Sequence, residues 1–399
     1  MVVNVKINRT FLIALSMHCF ILFYCSSGMA RCNNIGGNSG KISYSFGWGQ
    51  QTDSLKEGNK SVLWNVSAIA EGVYIPKGVI QSGFTYEHMV RGDVTLFTHS
   101  LGGWKGGSLK LSAIQVSSDQ PSEKWLGDLQ VASNIDAKPA LRIYDLYYAQ
   151  DFVNRINLII GLIDLSKFFD RIGPASPLMN SSFGTDPDMS ANIPISIYPK
   201  PGLGFSTSLQ LDHWKIQYCL FQNNPADRDD FSLRKYMMNL EADYSSKKGL
   251  GGLPFTCKFG VWHHSQIVSR PQTVSKPYSG YYFEAKQSIL NKTYRSVSCF
   301  IQWGSSPYHT DSVPYYLGMG FLVNGPLKNH VGDQFSLGIA NAWTKINLTM
   351  AETTLEMTYS LQMKDHLFIQ PDIQYIFNAG GVNQGNAIAI FLRCNLSLH

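Results

Sequence analysis

The run His99-Ser100-Leu101-Gly102-Gly103 sets a hydroxyl beside an imidazole and two glycines. It is close to the Gly-x-Ser-x-Gly turn on which hydrolases present a nucleophilic serine between a strand and a helix. Thr98 stands where the first glycine belongs. The run is followed by Trp104-Lys105-Gly106-Gly107 and then SLKLSAIQV, a strand-like stretch. Four glycines in SLGGWKGG, residues 100–107, fit a hairpin connection, where glycine supplies positive φ. A nucleophile elbow needs a helix after its serine. Neighbours on a strand also face apart, so His99 could not serve Ser100 as base. No catalytic residue is assigned, and the chain is read as not an enzyme.

Other reactive types fare similarly. His263 and His264 are adjacent in a strand-like run and point to opposite faces, a poor metal pair. Gly249-Leu250-Gly251-Gly252 opens no helix and reads as a turn. No Cys-x-x-Cys occurs. No metal or cofactor is expected.

What remains is a recurring placement of charged and amide side chains every second residue. Glu241 and Asp243 lie between Leu240, Ala242 and Tyr244. Glu284 and Lys286 oppose Phe283 and Ala285. Glu356 alternates with Leu355 and Met357, and Arg393 with Leu392 and Cys394. Asp372 and Gln374 alternate with Ile373 and Tyr375. Groups that accept and donate at such spacing can exchange a solute's waters for protein hydrogen bonds. At 142–150 the parity is ambiguous. Arg142, Tyr144, Tyr148 and Gln150 share a face with Leu146, and Asp145 shares the other with Ile143, Tyr147 and Ala149. Arg142 is favoured as inward-facing. The pore-lining candidates are thus Arg142, Glu241, Asp243, Glu284, Lys286, Glu356, Asp372, Gln374 and Arg393.

The elements that would position these groups are strands. Twenty Tyr, 22 Phe, 8 Trp and 35 Gly accompany only 15% charged residues, and no segment shows a capped helical stripe. KISYSFGWGQ (41–50) and NAIAIFLRCNLSLH (386–399) alternate cleanly, with Phe391 the exception in the second. Soluble antiparallel sheets alternate too. Here the segments run about ten residues against the usual 5–6, and charges sit in mid-strand on the polar face, as in a water-filled lumen. The fold class is therefore all-β, a transmembrane antiparallel barrel.

Lys6 and Arg9, an apolar run from Phe11 to Tyr24, and Gly28-Met29-Ala30 form a signal-peptide pattern with cleavage after Ala30. Residues 31–399 then make a single barrel domain. The formal charge of +5 falls by two once Lys6 and Arg9 leave, too mild for a nucleic-acid partner. The five cysteines after residue 30 form neither a disulfide framework nor a zinc pattern. Residues 164–204 carry six prolines between Pro174 and Pro201. So long an irregular stretch is a possible constriction folded into the barrel, or a long external loop.

Several stretches resemble the carbohydrate-selective (OprB-type) porin family. They are LSAIQVSSDQPSEKWLGDLQVASNIDA (111–137), the YDLYYAQDF, INLIIGLIDLSKFF and MNSSFG runs within 142–184, DPDMSANIPISIYPKPGLG (186–204), YYFEAKQSIL (281–290) and ETTLEMTYSLQMKDHLFIQPDIQYIFNAGG (352–381). Glu-x-x-x-Glu-x-Thr-Tyr and Gln-Pro-Asp-x-Gln-Tyr in the last are the most specific. The resemblance implies about sixteen strands in the bacterial outer membrane and passive, carbohydrate-selective diffusion of glucose-like sugars into the periplasm. It also implies outer-membrane lipids and the barrel-assembly machinery as partners, and either a monomer or a homotrimer. The chain departs from the family in ending on His399, in Asn378-Ala379-Gly380-Gly381 where Asn-Pro-Gly-Gly is common, and in Lys328 where an arginine usually precedes the Asp333 position. The alternatives are a general or other-solute porin, an outer-membrane barrel hydrolase, or a secreted sugar-binding β module.

Overall fold

A computed structural model describes residues 61–153, 155–226, 235–267, 276–306, 312–344 and 350–398. The signal-like residues 1–30, the alternating stretch 41–50 and His399 lie outside the described residues.

Sixteen strands follow one another in chain order: β1 (Val62–Lys77), β2 (Gly83–Phe97), β3 (Gly107–Ser118), β4 (Ala140–Phe152), β5 (Ile156–Ile163), β6 (Gly202–Gln210), β7 (Trp214–Gln222) and β8 (Tyr236–Ser246). They continue as β9 (Phe255–Ile267), β10 (Lys276–Asn291), β11 (Ser296–Ser305), β12 (Tyr315–Asn324), β13 (Gln334–Trp343), β14 (Ala351–Lys364), β15 (Leu367–Phe377) and β16 (Ala387–Leu398). Each pairs antiparallel with its chain neighbours, and β16 pairs with β1, closing the barrel. Closure leaves no sheet edge unpaired.

The exposure pattern is inverted relative to a water-soluble protein. Ile373 and Leu392 are 39% and 58% exposed, while Glu241 and Glu356 are fully buried. The apolar face of each strand points outward and the polar face inward, the requirement for a wall standing in lipid. Inward glycines make room for neighbouring rings. A Cβ on Gly260 of β9 would come within 2.0 Å of the Tyr282 ring of β10.

A β-bulge decides the ambiguous parity of β4. Ser112 of β3 pairs with Asp145 and Ala113 with Ile143, so Tyr144 is the extra residue. The bulge turns Tyr144 and Asp145 inward together, both fully buried, while Ile143 and Leu146 face out. Arg142 lies on the inward side before the bulge and Tyr147 after it.

The two ends of the barrel differ. Where β1 begins and β16 ends, the turns include 211–213 and 365–366. The opposite end carries the connections 119–139 and 164–201. Both pack against the inward face of the wall. Leu126, Ala132 and Met179 join Val73, Ile75, Ile376 and Phe391 in one apolar cluster. Ile172, Leu178 and Phe183 join Phe300, Tyr316 and Ala340 in a second, and Leu165, Phe169, Met189 and Ile193 join Phe221, Trp262 and Tyr282 in a third. Phe391, the exception in the β16 alternation, faces inward because these segments give it an apolar partner.

The His99–Gly103 run is the β2–β3 connection. Thr98–Leu101 form a single 3₁₀ turn, Gly102 has φ +79°, and the chain enters β3 with no helix. Ser100 Oγ donates to Phe97 O at 3.0 Å. His264 is fully buried and shares the inward face with Trp262, whereas His263 meets Ser279 Oγ at 2.8 Å. Gly251 and Gly252 turn with φ of +65° and +73°.

Candidate functional site

The parity-derived side chains all sit on the inward face, but most meet protein rather than open lumen. Glu356 accepts the backbone N–H of Met179 and, at 3.0 Å, that of Asn180. Gln374 Nε2 donates to Ala132 O at 2.7 Å and its Oε1 accepts Asn180 Nδ2 at 3.2 Å. Asp372 accepts Gln374 Nε2 at 3.2 Å. Arg393 binds Glu71 at 2.5 Å and donates to Asn134 Oδ1 at 2.7 Å. Glu356, Gln374 and Arg393 therefore dock the two internal segments, and Asp372 braces Gln374 from its own strand. Backbone N–H groups of an irregular segment buried in a barrel must find acceptors, and strand carboxylates supply them.

Sequence reading missed another member of this set, Glu352. It accepts the N–H groups of Leu129, Gln130 and Gly380 at 2.7, 2.8 and 2.6 Å. Its neighbours Thr353 and Thr354 weaken the local polarity contrast, though Glu352 shares parity with Glu356.

On the other side of the barrel, Glu241 accepts Asp170 N at 3.0 Å and the Tyr282 hydroxyl at 2.6 Å. Lys258 of β9, also missed, lies 3.6 Å from Glu241, 3.7 Å from Glu284 and 3.9 Å from Asp243. Glu284 also accepts Gln302 Nε2 at 3.2 Å. Asp243 and Lys258 keep 13% and 12% of their side chains exposed. Lys286 is half-buried on the same inward face.

The densest group surrounds the β4 bulge. Arg91 of β2 binds Asp93 at 2.8 Å and Asp145 at 3.0 Å. Lys167, in the 164–201 segment, binds the same Asp145 oxygen as Arg91. Lys110 of β3 lies 3.8 Å from Asp93. Arg142, from the same strand as Asp145, donates to Pro199 O at 3.1 Å. Burial, followed by the nearby Arg91 guanidinium, pulls the Lys167 ammonium down to about 8, with Asp145 and Asp164 opposing; it remains mostly charged at pH 7. The alternation of Arg91, Asp93 and Thr95 with Val90, Gly92 and Val94 was the signal that could have found the first two. Lys167 carries no periodic signal, because it sits in an irregular segment.

Donors and acceptors thus alternate within a few ångströms on partly water-facing wall at β2–β4 and β8–β10. Such a wall can bind hydroxyl-rich neutral solutes weakly through both partners of each hydroxyl. Among the described residues, no three His, Cys, Asp or Glu side chains are grouped so as to hold a metal.

A family profile described as "Carbohydrate-selective porin, OprB family" matches residues 81–398. No curated protein matches. Among solved structures, the high-pH structure of OprB from Pseudomonas putida is similar at 16% identity and TM-score 0.76, covering 85% of this chain and 95% of that one. The low-pH structure of the same protein gives 15% identity and TM-score 0.58, over 85% and 93%. A mutant Rh. blastica porin gives 10% and 0.57, over 84% and 100%. These likenesses are of fold.

Proposed function

Because the chain belongs to the carbohydrate-selective porin, OprB family, we propose that the solute it passes is a glucose-like sugar, recognised at the charged wall around Arg91, Asp93, Lys110 and Asp145. The protein is an outer-membrane carbohydrate channel and not an enzyme. The finer reading rests on one observation: the mixed donors and acceptors of β2–β4 adjoin the segment 164–201 through the Lys167–Asp145 contact. That segment narrows the barrel there, and Asp243, Lys258 and Lys286 line the opposite wall. A channel selects by width and by the groups on its wall. A sugar hydroxyl that donates to Asp93 and accepts from Lys110 recovers its lost water bonds, and partial exposure of these groups keeps binding weak enough for exit.

The end with short turns faces the periplasm and the end bearing 119–139 and 164–201 faces outside. Outward apolar side chains meet lipid, residues 1–30 are removed on export, and the barrel-assembly machinery inserts the chain. Planar-bilayer recording tests the sugar reading. Glucose is expected to reduce the single-channel current in a saturable manner, and Asp93→Asn to weaken that block. An ion current indifferent to every sugar at high concentration would identify a general or other-solute porin instead.

A further inference from the structure

The geometry points to Tyr144 as the positioning residue of this sugar-contacting wall, holding Arg91 and Lys167 at a fixed separation; the inference rests on the reading just given. Two cations converge on one oxygen, Asp145 Oδ2. They repel each other, and Arg91 has an alternative partner in Asp93, which it already grips through Nε and Nη2. Something must keep Arg91 from collapsing onto Asp93 alone. The Tyr144 ring does so. The Arg91 guanidinium carbon lies 5.1 Å from its centroid and the Lys167 ammonium 4.6 Å, both within cation–π range.

The ring itself is braced on every side. Its hydroxyl bonds to Asp164 Oδ2. The other oxygen of Asp164 accepts Ser166 N at 2.9 Å and Ser166 Oγ at 2.7 Å, fixing the turn that carries Lys167. Tyr198 meets the ring edge-on at 6.2 Å, and its own hydroxyl donates to Ile135 O at 2.9 Å. Both internal segments therefore converge on Tyr144. The bulge is the backbone cause: without the extra residue, Tyr144 and Asp145 would face opposite sides of the sheet. Tyr144 is fully buried, so it acts on the solute through Arg91 and Lys167.

Tyr144→Leu and Tyr144→Phe separate the ring from the hydroxyl. Tyr144→Leu removes both cation–π contacts, and it is expected to raise the half-blocking glucose concentration about tenfold. Tyr144→Phe keeps the ring and stays within about twofold of the parent, which assigns the role to the ring face and not to the hydroxyl. Heat-modifiable gel mobility confirms that each variant is a folded barrel. The reversal potential in a KCl gradient reads the cation pair with no sugar present, and Tyr144→Leu should shift it toward potassium. A folded Tyr144→Leu channel with unchanged block and unchanged reversal potential overturns the positioning role, as does an equal loss in Tyr144→Phe. A parent channel that no sugar blocks, but whose reversal potential moves in Tyr144→Leu, sinks the sugar reading and leaves the positioning role standing.

Discussion

Glu356 of β14 grips the backbone of Met179 and Asn180, more than 170 positions earlier in the chain. A wall carboxylate is thus committed to an internal segment rather than to solute. The same relation links Glu352 to Leu129 and Gln130, and Glu241 to Asp170.

Glu352→Gln should loosen residues 119–139. Hydrogen bonds to charged groups contribute about 1.5–3 kcal/mol each, and one amide oxygen cannot replace a carboxylate that accepts three N–H groups. Hydrogen exchange at Leu129 and Gln130 should rise by at least tenfold, with barrel strands unchanged. Unaltered exchange at those two amides would refute the docking role.

Gly304→Ala should disturb the segment 164–201 from the opposite wall. A Cβ at that β11 position would stand 1.8 Å from Asp188 Oδ1 and 3.0 Å from Asp186 Oδ2. Overpacking of this kind costs about 1–3 kcal/mol. Single-channel conductance is the readout, with a larger or noisier current expected. A current identical to the parent's would place the segment elsewhere in the lumen.

The same carboxyls predict a pH dependence. Burial, then the neighbouring Glu284 and Asp188, raises the Asp170 carboxyl well above the ordinary range. Burial, then Asp170 and Asp188, does the same to Asp186. A raised folded value means that docking is complete below the ordinary carboxylate pKa, about 3.9, and weakens as pH climbs through the raised values. Proteolysis within 164–201 should therefore accelerate as pH rises above the ordinary carboxylate range, after correction for protease activity, and Asp186→Asn should flatten the rise. A flat profile in the parent protein counts against it.

Ile373→Arg tests the outward face. Arginine on the lipid side costs about 2–4 kcal/mol near the bilayer midplane, so urea-induced unfolding in lipid vesicles should shift to lower denaturant. A variant as stable as the parent would mean that Ile373 does not face lipid.

Much of the barrel was legible because period two is a local property. The alternation in β8, β10, β14 and β16 names inward side chains without any knowledge of partners. It failed where partners decide. At β4 the bulge broke the parity, and no residue type in RIYDLYYAQ announces which position is extra. At β16 Phe391 faced inward against an apolar surface built from residues 126 and 179, which no window around 391 contains. The candidate site suffered likewise. Parity found Glu356 and Glu241 as inward, yet whether an inward carboxylate meets water or a folded-in amide depends on the path of 119–139 and 164–201. Lys167, lying on that path, has no periodicity to read.

The seam between first and last strands has a consequence for assembly. Glu71 pairs with Arg393 in the β1–β16 register, and the two side chains form an ion pair inside the barrel. They stand 322 positions apart on β1 and β16, so the contact cannot exist until β16 has been made and the cylinder has closed. A slip of one residue at the seam would turn Arg393 out into hydrocarbon. The pair therefore acts as a proofreading catch, satisfied only by a cylinder that has closed in its proper register.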